Sequence, residues 1–215
     1  MTPPPAPLSR PRPRWPQWLF FCLIVRPFFA LFIGLRVRGA EHLPGRDPFI
    51  LVANHTSHLD AVSLMSLFPL SRIPRIRPVA AVDHFGQGGL LTWVTRVCLN
   101  VLPVARKGIS RENNPLPVLL DALARGESLI FFPEGTRHSG EQVSAFRSGI
   151  AHLVARAPQV PVIPVRLVNM GRSLPKGALV PVPLFCEVRI GSPMKPHGAR
   201  QEIVRALEEA VRELG

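Results

Sequence analysis

The chain has 215 residues, 47% of them hydrophobic and 19% charged, with a formal charge of +12. That length suits one domain with a continuous core, and the apolar content excludes a globally disordered chain. The charge draws polyanions, acidic membranes and phosphorylated substrates, but the chain lacks the zinc-finger pattern, basic recognition helix and aromatic-basic interleaving of nucleic-acid binders.

Residues 1–17 (MTPPPAPLSRPRPRWPQ) hold too many prolines for a helix and read as a flexible arm made positive by Arg10, Arg12 and Arg14. Residues 18–35 (WLFFCLIVRPFFALFIGL) are apolar except for Arg26-Pro27. The run sits at the lower length limit of a transmembrane helix, Arg26 is costly at a bilayer centre, and Pro27 predicts a kink. Two short apolar segments dipping into one leaflet, with arginines at the headgroups, fit the pattern best. A single span and a core-packing helix are the alternatives. No small-residue cleavage site follows, which argues against a signal peptide. Residues 36–215 read as one domain.

Within that domain, FILVA (49–53) predicts a strand and TSHLDAVSLMSLF (56–68) the helix after it. PVAAV (78–82) is the next strand, GQGGLLTWVTRVCLN (86–100) has helical spacing, and VLPVA (101–105) is a short strand. NPLPVLLDALARGE (114–127) reads as a helix stopping at Gly126, SLIFF (128–132) as a strand buried on both faces, and SAFRSGIAHLVARA (144–157) as an amphipathic helix. VPVIPVRLVN (160–169) is a strand whose prolines point to an edge or irregular position. LVPVPLFCEVRIG (179–191) returns to sheet, and ARQEIVRALEEAVREL (199–214) is an amphipathic helix. The alternation predicts an α/β fold: one layered domain with a mostly parallel central sheet flanked by helices, preceded by an apolar membrane-associating helical segment. Periodicity leaves the strand order open.

Open α/β sheets collect their chemistry beyond the carboxyl ends of strands. Two such places are dense here, NHTSHLD (54–60) and PEGTRHSG (133–140). Inside one helix His55 and Asp60 would be about 140° apart, so they face each other only if His55 sits in the turn before the helix, with Ser57 as a natural N-cap. Asp60 would then accept from one imidazole nitrogen while the other serves as a general base. Ser57-His58-Leu59-Asp60 also satisfies the S-x-x-D capping box, so the residues alone leave Asp60 between bracing an imidazole and tying down a main-chain N–H. Asn54 reads as a turn-shaping residue. His58 reads as a packing or surface residue, with substrate contact as the alternative.

Other chemistries lack their patterns. There is no i, i+4 histidine pair with a glutamate base for zinc, and no G-x-S-x-G elbow around Ser57. Cys22, Cys98 and Cys186 are far apart in apolar surroundings and read as buried thiols of a reducing compartment. In the second cluster, Pro133 ends the strand and Gly135 lets main chain approach a ligand. Glu134 and Arg137 could receive a hydroxyl and a phosphate, or pair with each other. Arg106, with Lys107 beside it, is a further cation at a strand end.

Taken in order, NHTSHLD, VLPVAR, FFPEGTR and VPVIPV resemble the four sequence blocks of the glycerolipid acyltransferase family, over roughly residues 35–195. Its best-known members are 1-acyl-glycerol-3-phosphate acyltransferases. The resemblance implies transfer of a fatty acyl group from acyl-CoA or acyl carrier protein to the free hydroxyl of 1-acyl-glycerol-3-phosphate, giving phosphatidic acid. The thioester is the donor substrate, and no metal or bound cofactor is implied. By position, His55 is the catalytic histidine and Asp60 its partner, and Arg106 is the basic residue of the second block. Glu134, Gly135, Thr136 and Arg137 match the acceptor-binding third block. Val162, Ile163 and Pro164 match the fourth, associated with positioning substrate or acyl chain. The implied partners are the lipid acceptor, the acyl donor and an acidic membrane surface. The implied place is the cytoplasmic face of the cell membrane, by monotopic or single-span attachment.

Departures from the family pattern widen the choice of acceptor. His58 stands where many members have an aromatic residue, and Val101-Leu102-Pro103-Val104-Ala105 lacks the aromatic and isoleucine common before the basic residue of the second block. AAVDHFGQGG and NMGRSLPKG look more like domains fused to transporters or acyl-activating enzymes. The rival readings are the same chemistry on another lysophospholipid, glycerol-3-phosphate or a different amphiphile, and an inactive membrane-binding scaffold.

Overall fold

A computed structural model describes residues 15–46, 48–81, 94–105, 113–138, 142–174 and 182–215. Its strands are β1 (Leu35–Arg38), β2 (Ile50–Ala53), β3 (Ile76–Ala81), β4 (Leu102–Val104), β5 (Ser128–Phe131), β6 (Val162–Val168) and β7 (Cys186–Ile190). They form one sheet in the order β1-β7-β6-β2-β5-β3-β4. Every neighbouring pair is parallel except β6 and β7. The expected α/β architecture is therefore observed, with β2 near the centre between β6 and β5.

Side chains alternate across a strand, so each face of the sheet carries its own core. Ile50, Val52, Leu129 and Val162 join a cluster with Leu119 and Leu123 of α3 (Pro115–Ala124), Ile150 and Leu153 of α4 (Gly149–Arg156), and Leu207 and Val211 of α6 (Arg200–Glu213). Leu51, Ala53, Ile130 and Ile163 point the other way, into a cluster with α1 (Trp15–Ile33) and with Leu64 and Met65 of α2 (Leu59–Ser66). Between β6 and β7 lies a short helix, α5 (Met170–Ser173).

Three expectations are corrected. The first is the edge position of the 160–169 strand: β6 lies inside the sheet, paired with β2 and β7. The main-chain oxygen of Pro164 accepts from Gly191 N, on the β7 side, and the register with β7 ends at Val165–Ile190. The N–H that proline lacks would point to that same side, just past the paired stretch, so the sheet loses little.

The second is the kinked pair of apolar segments. One helix, α1, runs from Trp15 to Ile33 through Pro27. It widens into π turns on both sides of the proline, with Arg26 N–H bonded to Phe21 O and Gly34 N–H to Phe29 O. Phe21, Val25, Phe29 and Ile33 are buried at strict four-residue spacing. On a 3.6-residue helix such a stripe drifts about 40° per step. The wider turns keep it against the sheet. Leu23, Ile24, Leu31 and Phe32 stay exposed on the outer side.

The third concerns ends. The helix expected over 144–157 starts only at Gly149, because Ser144 N and Arg147 N donate to Glu134 and Pro133 instead of to a helix. β1 was not expected from its four residues, LRVR; pairing with β7 makes it a strand. Residues 82–93, which include most of the helical stretch expected over 86–100, lie outside the described residues.

Candidate active site

The site starts where β2 stops. Asn54 is fully buried and its side chain copies a strand residue: Nδ2 donates to Leu167 O at 2.9 Å, and Leu167 N donates to Oδ1 at 2.7 Å. The β2–β6 ladder is thereby closed by a side chain, which releases the main chain of residue 55 to turn. The turn-shaping role read for Asn54 is what its amide does.

His55 sits in that turn and Asp60 in the first turn of α2, the arrangement that brings the two together. Nδ1 of His55 lies 2.8 Å from Oδ2 of Asp60. The same Oδ2 accepts from Thr56 N at 2.7 Å and Ser57 N at 2.9 Å. Asp60 thus braces the imidazole and ties down main chain at once, and the two readings left open by the sequence are both realised. The S-x-x-D box forms on the aspartate side; Ser57 Oγ accepts from Leu59 N at 3.3 Å and donates to Leu174 O at 3.0 Å.

Three short N–H donors make a fully buried carboxylate tolerable. They also assign the imidazole proton. A carboxylate oxygen only accepts, so Nδ1 carries the hydrogen and Nε2 keeps a lone pair. The His55 side chain retains 23% of its exposure, enough for a substrate proton to reach it.

β5 lies beside β2 with Val52 opposite Phe131, so the turn after β5 arrives next to the turn after β2. The two turns are joined at residue 55 itself. His55 N donates to Oε2 of Glu134 at 3.4 Å, and His138 N donates to His55 O at 3.1 Å. Phe132 stacks on the imidazole, with ring centroids 4.3 Å apart and planes 19° from parallel. Such a face favours a cation, so Phe132 both limits the ring's rotation and suits the protonated state.

Glu134 is 3% exposed, and its two oxygens accept from Ser144 N and His55 N, with the Arg166 charge near enough to favour its ionised form. Those bonds are long, 3.3 and 3.4 Å, and offset only part of the burial. Burial therefore pushes the Glu134 carboxyl up to about 7 from its ordinary 4.5. Gly135 has φ +74°, and a side chain there would run into Arg147, whose Nε is 2.8 Å from the Cβ position. Arg147 clips this turn twice, its N donating to Pro133 O at 2.9 Å and its Nε to Glu134 O at 3.1 Å.

Arg137 follows on the same turn, half-buried, with Nη1 shielded from solvent and no acceptor for it among the described residues. A buried guanidinium N–H without an acceptor is costly and is satisfied by an incoming anion. Thr136 lies half-buried beside it.

The remaining candidates sit elsewhere. Val162, Ile163 and Pro164 are buried in the first half of β6, opposite Ile50, Leu51 and Val52, and do not join the cluster at the strand ends. Arg106 lies outside the described residues. His58 is exposed at the N-terminus of α2. Two residues given no role from the sequence matter: Phe132, whose place inside FFPEGTR was a usable signal, and Arg147, which had none. A third wall comes from α5, where Gly171 packs tightly on Thr56.

With this geometry in hand, comparison with known proteins is specific. The family profile described as Acyltransferase matches residues 34–168. The chain belongs to the acyltransferase family. Its relatives include 1-acyl-sn-glycerol-3-phosphate acyltransferase alpha of Homo sapiens, 30% identical over 84% of this chain and 62% of that protein. The 1-acyl-sn-glycerol-3-phosphate acyltransferase of Pseudomonas aeruginosa is 27% identical over 82% of this chain and 65% of its own length. The crystal structure of the 1-acyl-sn-glycerophosphate (LPA) acyltransferase from Thermotoga maritima shares the fold, with a TM-score of 0.71 at 24% identity, covering 94% of this chain and 78% of that one. The chain spans 61–65% of the length of the mammalian relatives it matches.

The Glu134 environment gives a measurable signature. The folded chain holds a proton here between about 4.5 and about 7 that the unfolded chain has released, so this group lowers stability as pH rises through that window. Glu134→Gln removes that contribution. Urea midpoints at about pH 5 and about pH 8 should differ less in the variant than in the parent chain; an unchanged difference would place the carboxyl in water.

Proposed function

We propose that this acyltransferase-family chain is an O-acyltransferase that moves a fatty acyl group from acyl-CoA or acyl carrier protein to the free hydroxyl of 1-acyl-glycerol-3-phosphate, giving phosphatidic acid. The observation that carries the reading is the joining of the His55–Asp60 pair to the Glu134–Arg137 turn through the main chain of His55. A general base and a guanidinium whose buried Nη1 has no acceptor among the described residues, on one edge, suit an acceptor that bears both a hydroxyl and a phosphate. The names of the relatives supply its identity.

In the proposed reaction Nε2 of His55 takes the hydroxyl proton as that oxygen attacks the thioester carbonyl. Asp60 accepts from Nδ1–H and stabilises the imidazolium. The tetrahedral intermediate collapses by breaking the C–S bond, and the thiolate leaves with the proton returned from His55. Arg137 holds the acceptor phosphate, so binding energy away from the reacting atoms orients the nucleophile. Glu134, with both oxygens on main-chain N–H groups, positions the turn and need not touch the acceptor. Arg106 is retained as a second phosphate cation on the strength of its match to the second block.

The test is release of free thiol from acyl-CoA and acyl-carrier donors against a panel of lysolipids. A preference for 1-acyl-glycerol-3-phosphate supports the reading. A strong preference for an acceptor without phosphate defeats the role of Arg137.

We infer monotopic attachment on the cytoplasmic side, where soluble thioester donors are found. Helix α1 is long and apolar enough to span a bilayer by length and composition. Its support for the monotopic reading is the inner stripe of Phe21, Val25, Phe29 and Ile33, which belongs to the domain core. Deleting residues 1–35 would open that core, so the cleaner test is Leu31→Ser with Phe32→Ser on the exposed side. Each removes about 1.5–3 kcal/mol of apolar burial in lipid. Flotation with vesicles should fall by more than tenfold; full retention would count against attachment through this face.

A further inference from the structure

A second feature lies on the far side of β6 from His55. Helix α1, the start of β1 and the start of β7 enclose a cleft of about 960 Å³, lined by Arg26, Phe29, Arg36, Asn169, Phe185 and Glu187 among others. Its chemistry is divided. One rim is apolar and exposed: Phe185 is 83% accessible and lies over Gly34, directly after α1, whose exposed side carries Leu31 and Phe32. The other wall is cationic.

On that wall Arg36 and Arg38 of β1 share a face with Glu187 and Arg189 of β7, set by the register Arg36↔Glu187 and Arg38↔Arg189. Glu187 is the acid of the group: Oε2 accepts from Arg189, and Oε1 forms an ion pair with Arg38 without a hydrogen bond. The Arg36 side chain makes no hydrogen bond or ion pair among the described residues. Arg26 uses one nitrogen on Phe68 O at 3.0 Å and keeps the rest of its fork. Two guanidinium groups without a carboxylate thus face a hollow whose edge is an exposed apolar surface.

We propose that this cleft seats the phosphate of an anionic membrane phospholipid, with the acyl chains running over Phe185, Leu31 and Phe32 into the bilayer. The occupant is identified by charge and by amphiphilicity together. A soluble phosphate would leave the apolar rim in water, and a zwitterionic headgroup would bring its own cation to a wall that already has an excess. This lipid is a docking ligand, separate from the acceptor held beside His55, and the proposal does not depend on the identity of that acceptor.

The test is flotation of the full chain with vesicles of phosphatidylcholine alone, and with vesicles in which about a third is phosphatidylglycerol. Arg36→Gln should lower partitioning onto the anionic vesicles by about fivefold, the usual worth of one basic residue at such a surface, and leave phosphatidylcholine binding unchanged. Arg46→Gln is the control, an exposed arginine before β2, at the opposite end of the strands from His55. It should change neither. Equal losses for the two variants would mean that charge acts diffusely and the cleft seats nothing. No loss in Arg36→Gln would overturn the site outright. Circular dichroism of each variant excludes unfolding as the cause.

Discussion

His55→Ala is expected to lower acyl transfer by roughly 10²–10⁴-fold, the usual worth of a positioned general base. The substitution removes a half-buried ring whose contacts are the Asp60 carboxylate and the face of Phe132. The main-chain bonds from residue 55 to Glu134 and His138 remain available to alanine, so the two turns stay joined. Thiol release from an acyl-CoA donor measures the loss, and circular dichroism checks the fold. Undiminished release in this variant would remove the assigned mechanism. A folded but inactive parent chain would instead support the reading as a membrane-binding scaffold.

Substitutions at Asp60 separate its two duties. Asp60→Asn can keep the amide oxygen at the Oδ2 position, where it still accepts from His55 Nδ1, Thr56 N and Ser57 N. Its NH2 then falls where Oδ1 now lies, a buried position with no hydrogen-bond partner among the described residues. The turn is preserved while the charge is lost. Turnover should drop roughly 10- to 100-fold, corresponding to about 1.5–3 kcal/mol for a hydrogen bond to a charged group. The urea midpoint should fall less than in Asp60→Ala, because the main-chain N–H groups keep their acceptor.

Asp60→Ala is different in kind. It strands the N–H groups of Thr56 and Ser57 in a buried place, at about 1–3 kcal/mol each, and lets the imidazole turn. Turnover and the urea midpoint should therefore fall together. If the asparagine variant turned over like the parent, Asp60 would be left with the capping duty alone.

Much of this site was legible because its grammar is local. An apolar strand running into Asn-His, with a carboxylate five residues on, limits where the imidazole can go, since only a turn before the helix lets the two meet. Capping by Asp60 was legible for the same reason. Arg147 was not: its clip on Glu134 and Pro133 joins residues 13 and 14 apart along the chain, across a stretch of sequence with no repeating pattern. The main-chain partners of Glu134 were not legible because burial is not a property of the tetrapeptide Glu-Gly-Thr-Arg. It depends on what Ser144 and His55 bring to either side.

The prolines of the 160–169 strand mislead for a related reason. A missing N–H argues for an edge only if a neighbour wants it on that side. At Pro164 the register with β7 has just ended, so an interior strand could hold it.

Composition, periodicity and the residues at the strand ends were enough to determine an α/β layered domain, an apolar leading segment, and two polar strand-end clusters, in one of which a turn could set an imidazole against a carboxylate. Those properties follow from interactions within a few residues, which a linear chain displays. Which strands lie side by side was decided only in three dimensions. His55 and Glu134 are 79 residues apart and meet because β5 pairs with β2. Arg36 has no ion pair among the described residues although β7 sets Glu187 opposite it, because that carboxylate pairs with Arg38 and Arg189. Each of those outcomes depends on sheet order, and sheet order is set by the burial of both faces at once.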